Sequence, residues 1–462
     1  MIGRRMLELF EKQSPVCVCV RGLLENLMRP ERLDHIFEQT AQRQYCRSLT
    51  FSTCADLMSQ VVARIQPSIH AAYKADSDSI PVSVTAVYDK LNGLEPAVCE
   101  RLVHDTAADM AELVDELGHH GDQLLPGREL RILDGNHLAG TDHRLGELRR
   151  LGAAALPGQS VPVLDPQRKL ITDVVTCEDG HASERTLIPQ VLELVQSGQC
   201  WMADANFCTL AFLFGIVDHK AHFIVRHHGN LHGEPVGKDK ACGRTDTGRV
   251  TEQTLRITQK KSGQIIRSRD VRRITIHRDE PTRKGATEVH ILSNLPKSVS
   301  ARQIALAYRQ RWKIETAFQE VTTTLRCEIN TLGYPDAALF GFCIALLHYN
   351  VMSVAQAALA SAHRSQLGKR RLSMYALANE ISGVWRGMSI AIDSAIWSEE
   401  FETLPLPALA RKLSSIASHA DIPRLTTHKW SPKRPQPKRI SGNRGNHVST
   451  QKLLNKRKSK AS

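Results

Sequence analysis

The sequence predicts an α/β protein with helical ends and a β-rich insertion, and three observations carry that expectation. Residues 1–125 contain several runs with helical spacing. From Glu129 onward, short apolar stretches that end in an acid alternate with helical ones. Within residues 228–288, Gly, Thr, Arg and Lys dominate and apolar residues alternate as they do in strands.

The 462 residues suit two or three domains. Hydrophobic content of 42% and charged content of 24% are ordinary for a globular chain. The net charge of +13 is not, and it points to a polyanionic partner, nucleic acid before membrane. Much of that excess lies in residues 422–462, a stretch without acids that is expected to be a disordered basic tail in the absence of a partner. The 11 cysteines form no CxxC pair, which argues against a zinc ribbon or a disulfide framework and for reduced thiols in a cytoplasm. Cys17-Val18-Cys19 alternates like a strand. The N-terminus shows no secretory pattern. Ala337 to Ala362 carries no charge and is long enough to span a bilayer. His348, Asn350, Ser353 and Gln356 near its middle make it a buried core helix instead, so no membrane partner is expected.

In chain order, LDHIFEQTAQRQ, TCADLMSQVVARI, SVTAVYDKLNGL and EPAVCERLVHDTAADMAELVDEL read as helices, with Thr53 and Glu95 near their starts. ELRILD is a short strand ending at Asp134. VPVLD-PQRK-LITDVVTCED is a hairpin, and SERTLIPQVLELVQSG is a helix capped by Ser183 and ended by Gly198. CWMAD is a second short strand, ending at Asp204, followed by a short helix in FCTLAFLFGIV and a strand in AHFIVRHH. TEVHILSNLP is a further strand, Ser300 starts the next helix, and residues 371–420 are helical again.

YRQRWKIETAFQEVTTTL, residues 308–325, carries two faces when read as a helix. At ~100° per residue, Tyr308, Arg311, Glu315 and Thr322 share one side, and Ile314, Phe318, Val321 and Leu325 form an apolar stripe beside it. Asp134 and Asp204, each at the carboxyl end of an apolar strand, stand where ligands bind in an α/β core. Taken singly, each is an ordinary turn or cap residue. Together with Glu315 they make a carboxylate set that repels itself unless cations neutralise it. Mg²⁺ suits such a set, because it takes few carboxylates and completes its shell with water and phosphate.

ILDGNHLAGTDHRLGELR, LPGQSVPVLDPQRKLITDVVTCEDGHASERTL, WMADANFCT and YRQRWKIETAFQEVTTTLRCEI resemble the bacterial DDE transposases of the insertion-sequence-four family, over roughly residues 30–360. The resemblance implies a ribonuclease H-like catalytic core at 126–227 and 289–365 and a β insertion at 228–288. A helical N-terminal domain at 1–125 that can bind DNA, a helical C-terminal region at 366–421 and the tail at 422–462 complete the expected organisation. By that resemblance Asp134, Asp204 and Glu315 are the catalytic, metal-binding triad, holding two Mg²⁺ ions with Mn²⁺ as a substitute. Tyr308 and Arg311 match the DNA-phosphate-binding members of the Tyr-x2-Arg-x3-Glu-x6-Lys signature. Thr322 stands where that signature has Lys, so that phosphate contact is either weakened or supplied by another group such as Lys313 or Arg326. Relatives that cut through a DNA hairpin use a Trp in the insertion. No Trp lies between Trp201 and Trp312, which puts that step in doubt.

The implied function is transposition: binding of terminal inverted repeats, 3′-end cleavage and joining to target DNA by a homodimer on DNA, in the bacterial cytoplasm and associated with the nucleoid. A Mg²⁺-dependent structure-specific nuclease without strand transfer and a decayed, non-enzymatic DNA-binding protein are the alternatives. His137, His143, His227 and His228 are expected to be structural or DNA-contacting and not ligands. Trp312 is expected to pack against the core, with base stacking as the other reading. Arg226, Arg244, Arg272, Arg273, Arg278 and Arg283 line a DNA groove or form a solvated basic face.

Overall fold

Among the described residues, seven helices build the N-terminal region: α1 (Ile2–Gln13), α2 (Pro15–Leu27), α3 (Pro30–Thr40), α4 (Phe51–Val62), α5 (Ile69–Ala75), α6 (Val84–Asn92) and α7 (Pro96–Glu116). The computed structural model describes residues 2–44, 48–121, 123–141, 145–148, 155–282, 285–325, 329, 331–368 and 370–427. His143, Arg283, Arg326 and all of the basic tail after Thr427 lie outside the described residues.

Cys17-Val18-Cys19 is not a strand. It lies in α2 with all three residues fully buried. An unbroken apolar run fits either element. Here Pro15 in the first turn favours a helix start, and α12, α14 and α16 (bounds below) surround α2 and remove the need for a polar face. Thr50, not Thr53, caps α4, accepting from the Thr53 amide. Glu95 precedes α7, and its carboxylate accepts from the amides of Gln42, Arg43 and Gln44, tying the loop after α3 to the start of α7.

The sheet follows as β1 (Leu130–Leu133), β2 (Asn136–His137), β3 (Gln159–Asp165), β4 (Leu170–Cys177), α8 (Ile188–Glu193), β5 (Cys200–Ala203), α9 (Leu210–Asp218) and β6 (His222–Arg226), then β7 (Gly233–Thr245), β8 (Gly248–Lys261), β9 (Gln264–Arg278) and β10 (Glu288–Ser293). The strand order is β2-β3-β1-β5-β6-β10-β9-β8-β7, with β4 paired to β3. β3 runs antiparallel to β1, while β5 and β6 run parallel to it. The three long strands β7–β9 add to this same sheet through β10. The helix expected from Ser183 begins as a 3-10 turn, Glu184–Leu187, and widens into the short α8, which ends at Glu193, before Gly198.

Alternation along the strands separates two apolar layers. Ile132, Met202, Ile224 and Ile291 join the core shared with the N-terminal helices and α12. Leu133, Trp201, Phe223 and Leu292 join a second core with Val191 of α8 and Phe212 and Ile216 of α9. The part of the sheet formed by β1, β5, β6 and β10 is therefore covered on both faces, as its parallel strands require.

After the sheet come α10 (Ala301–Tyr308), α11 (Trp312–Gln319), α12 (Pro335–Ala362), α13 (Arg364–Leu367), α14 (Met374–Ala391), α15 (Ser394–Trp397), α16 (Leu406–Ala417) and α17 (Ile422–Leu425). Ser300 and Gln303 form a capping box that starts α10. Helix α12 is long and apolar enough to cross a membrane by length and composition, and it is buried inside the protein. His348, Gln356 and Asn350 have partners there. His348 Nε2 meets Ser59 Oγ at 2.8 Å, and Gln356 accepts from Lys169 Nζ at 3.0 Å. Asn350 Oδ1 accepts from Ile171 N at 2.7 Å, and its Nδ2 donates to Ile171 O at 2.8 Å. Asn350 thus supplies the ladder bonds that β4, with β3 on one side only, lacks on the other. Asn350→Leu is expected to leave both backbone groups buried and unpaired and to cost about 2–4 kcal/mol. Urea unfolding checks this, and an unchanged midpoint would show that the pairing contributes nothing.

Candidate active site

Residues 308–325 are not one uniform helix. A 3-10 turn, Arg309–Arg311, joins α10 to α11, and a π turn, Glu320–Thr324, follows. In a 3-10 turn residues i and i+3 eclipse, which stacks Tyr308 and Arg311 on one side. The apolar stripe is buried at Ile314 and Val321, while Phe318 and Leu325 are partly buried against the same core. Thr322 lies in the π turn, where its hydroxyl is 3.4 Å from that of Thr323. Lys313 points elsewhere, its Nζ donating at 3.4 Å to the Pro166 carbonyl in the β3–β4 turn.

Asp134 directly follows β1 and Asp204 directly follows β5, a parallel neighbour. Both acids therefore stand at the same end of the sheet. Asp204 Oδ1 caps the 3-10 turn Ala205–Phe207 by accepting from Asn206 N at 2.8 Å. Asp134 Oδ2 accepts from Arg311 Nη1 at 2.9 Å, and the other arm of that guanidinium donates to Glu315. Arg311 thus bridges an acid of the sheet and an acid of the helix.

Burial pushes the Asp134 carboxyl up to about 6; Arg311 opposes the rise, and the negative charges of Asp204, Glu315 and Glu184 add to it. Burial raises the Tyr308 hydroxyl to about 12 against the pull of Arg311 and Arg226, with Asp204 raising it further. Tyr308 therefore stays protonated and able to donate at neutral pH. Among the described residues, no three of His, Cys, Asp and Glu stand close enough together to hold an ion as placed. Arg311 supplies the countercharge instead. The donor set is nonetheless one that a hard divalent cation fits, with carboxylate oxygens only and at least one of them held at an unfavourable charge by its neighbours.

The remaining expected residues sort clearly. Trp312 does not pack against the core. It is 64% exposed, with the Arg311 guanidinium 5.9 Å from its ring centroid. Trp201, Trp385 and Trp397 are all buried, so Trp312 alone among the described tryptophans presents its face to solvent. Arg272 is no surface residue. It is buried, paired with Glu252 and bonded to the carbonyls of Pro296 and Val299. Arg244 pairs with Asp279, Arg273 donates to Gln253, and Arg278 donates to Glu280 O. Arg226 ends β6 close enough to Tyr308 to act on it. His137, His227 and His228 bond to backbone atoms, His137 to the distant Gly180 O, His227 to Leu231 O and His228 from Asn230 N. Glu184, which the sequence did not single out, is the third acid acting on Asp134, after Asp204 and Glu315. No acid pattern marks it, because it reaches the site only through the loop after β4.

Acids at the ends of two adjacent parallel strands, a third acid on a helix beside them and an arginine between them form an arrangement from which a carboxylate-centred phosphoryl-transfer site can be built. Residues 159–351 match the family model described as Transposase DDE domain. That match covers less than half of the chain and supports a transposase reading, and divalent metal ions are a general requirement of such domains. The matched segment contains Asp204, Arg311 and Glu315 and begins after Asp134. A search of curated proteins finds no match.

Proposed function

We propose that the chain is the transposase of a bacterial insertion sequence of the insertion-sequence-four group. It would bind the terminal inverted repeats, cleave at the transposon 3′ ends and join them to target DNA. The observation that carries this reading is Arg311 held between Asp134 and Glu315, with Asp204 acting on both Asp134 and Tyr308. The strand arrangement supports the ribonuclease H-like core, with a β3–β4 hairpin antiparallel on one side of β1 and β5 and β6 parallel on the other.

In this reading Asp134, Asp204 and Glu315 hold two Mg²⁺ ions, or Mn²⁺ in their place. Once bound, the ions supply activation of a water or 3′-hydroxyl and stabilisation of the leaving oxygen. The protein's own groups position the strand. Arg311, relieved of its acids, offers its two-armed guanidinium to the backbone phosphates, and Tyr308 donates its hydroxyl. The exposed face of Trp312 provides a stacking surface for a base next to the cut. Synapsis of two ends calls for a homodimer on DNA, and the working location is the cytoplasm at the nucleoid. The helices at 1–125 and the basic strands at 228–288 are proposed to extend the DNA contact.

The test incubates the protein in Mg²⁺ with labelled duplexes from the DNA flanking its reading frame and with a supercoiled plasmid. Covalently joined label and plasmid is the expected product. Cleaved label without joined product would identify a nuclease, and binding without cleavage would identify a non-enzymatic binder.

A further inference from the structure

Ser183, Glu184 and Arg185 open the 3-10 turn between β4 and α8, and the buried Leu187 and Ile188 anchor that turn in the second core. From there the two charged residues take hold of one neighbour, Asn206, two residues after Asp204. Glu184 Oε2 accepts from Asn206 Nδ2 at 3.2 Å, and Arg185 Nε donates to Asn206 O at 2.9 Å. Asn206 N is itself bonded to Asp204 Oδ1 at 2.8 Å, so whatever fixes Asn206 fixes the Asp204 carboxylate.

The other oxygen of Glu184 lies over the residue that follows Asp134. A Cβ built on Gly135 would fall 1.9 Å from Glu184 Oε1, 2.1 Å from its Cδ and 2.8 Å from its Cγ. Gly135 has no left-handed backbone. Its lack of a side chain is required by this approach and not by its own conformation. One carboxylate therefore touches the turn after β1 and the turn after β5 at once.

We propose that Glu184 is a positioning residue that braces the Asp134 turn against the Asp204 turn and so sets the separation of the two aspartates. The inference rests on the assignment of Asp134 and Asp204 as metal-holding residues. It requires a hydrogen-bond acceptor and side-chain bulk at residue 184, not a charge. A Gln there can still accept from Asn206 Nδ2 through its carbonyl oxygen, whereas Ala can do neither job. Outer residues that orient metal-holding carboxylates typically cost about 10–100-fold in metal affinity when removed.

The geometry also dictates how Gly135 and Glu184 combine. In Gly135→Ala the new methyl group meets the mobile end of Glu184 and not the backbone, so it should push the carboxylate off its seat. Gly135→Ala should then copy Glu184→Ala. The double variant should be no worse than either single one, because the clash disappears with the longer side chain.

The experiment titrates Mn²⁺ into the full-length protein without DNA by calorimetry, with thermal melting recorded for every variant. Asp134→Asn and Asp204→Asn are the reference arms. The expected result is loss of Mn²⁺ binding in both references and about 10–100-fold weaker binding in Glu184→Ala and Gly135→Ala. Near-complete rescue in Glu184→Gln and no further loss in the double variant complete the expectation. Wild-type binding in Glu184→Ala overturns the brace, as does a loss in Glu184→Gln equal to that in Glu184→Ala, which would make Glu184 a ligand. Additive losses in the double variant overturn the contact with Gly135. A wild-type chain that takes up no Mn²⁺, or reference variants that bind normally, overturn the assignment of the aspartates themselves.

Discussion

Asp134→Asn, Asp204→Asn and Glu315→Gln are each expected to abolish cleavage and joining of end DNA, by about a thousand-fold or more, because residues acting as one unit fail together. Any double variant should be no worse than a single one. The fold should survive. The Asp134 carboxyl is raised to about 6 by burial and by Asp204, Glu315 and Glu184 against the pull of Arg311. A raised acid is protonated in the folded chain before it is in the unfolded one. Its charge therefore opposes folding above about pH 6, and stability recovers as pH falls through that value. Asp134→Asn mimics the protonated state, so without metal at pH 8 it should melt at or above the wild-type temperature. Cleavage of labelled duplex in Mg²⁺, with melting as the control, tests both halves. Wild-type-like cleavage by any of the three variants removes that residue from the active site, and a large fall in melting temperature for Asp134→Asn would contradict the electrostatic account.

Arg311→Ala carries the second large effect, and here the loss is in stability as well as in binding. The Arg311 side chain is 14% exposed and that of Asp134 is 18% exposed, so the pair is largely shielded from water. In Asp134→Asn Arg311 keeps Glu315, but removing Arg311 leaves Asp134 uncompensated beside Asp204 and Glu184, at a cost of about 3 kcal/mol. Glu315 loses the same partner. Millimolar Mg²⁺ or Mn²⁺ should restore much of the lost melting temperature, since a divalent cation can neutralise the acids that Arg311 leaves behind. End-DNA affinity should nevertheless stay weaker by about 1.5–3 kcal/mol, the scale of a charge-assisted hydrogen bond. Arg311→Lys should recover only part of this, because a single ammonium cannot span two acids as the guanidinium fork does. Melting with and without metal, alongside gel-shift affinities, checks the prediction. An unchanged metal-free melting temperature would show that the bridge does not hold the acids.

Local pattern by itself determined much of this protein. Short apolar runs ending in Asp134 and Asp204, the β3–β4 hairpin, the Ser300 cap and the long uncharged helix α12 are set by neighbours within a few residues, and each takes the expected form. The 3.6 and 2.0 periods that reveal such elements are properties of the chain alone.

Where the outcome depended on what packs against an element, only the tertiary structure decided. Cys17-Val18-Cys19 looks like a strand until three helices surround it. Trp312 shares a helix with a buried stripe, yet it lies on the open side next to Arg311. Arg272 was one cation among several in the sequence, and its burial with Glu252 removes it from the surface. Arg311 became a bridge because folding brings Asp134, 177 residues away, to its guanidinium. Glu184 entered the site through a loop whose sequence advertises only a helix start. Contacts between distant segments leave no period behind, because they depend on how the sheet and helices pack and not on the order of adjacent residues.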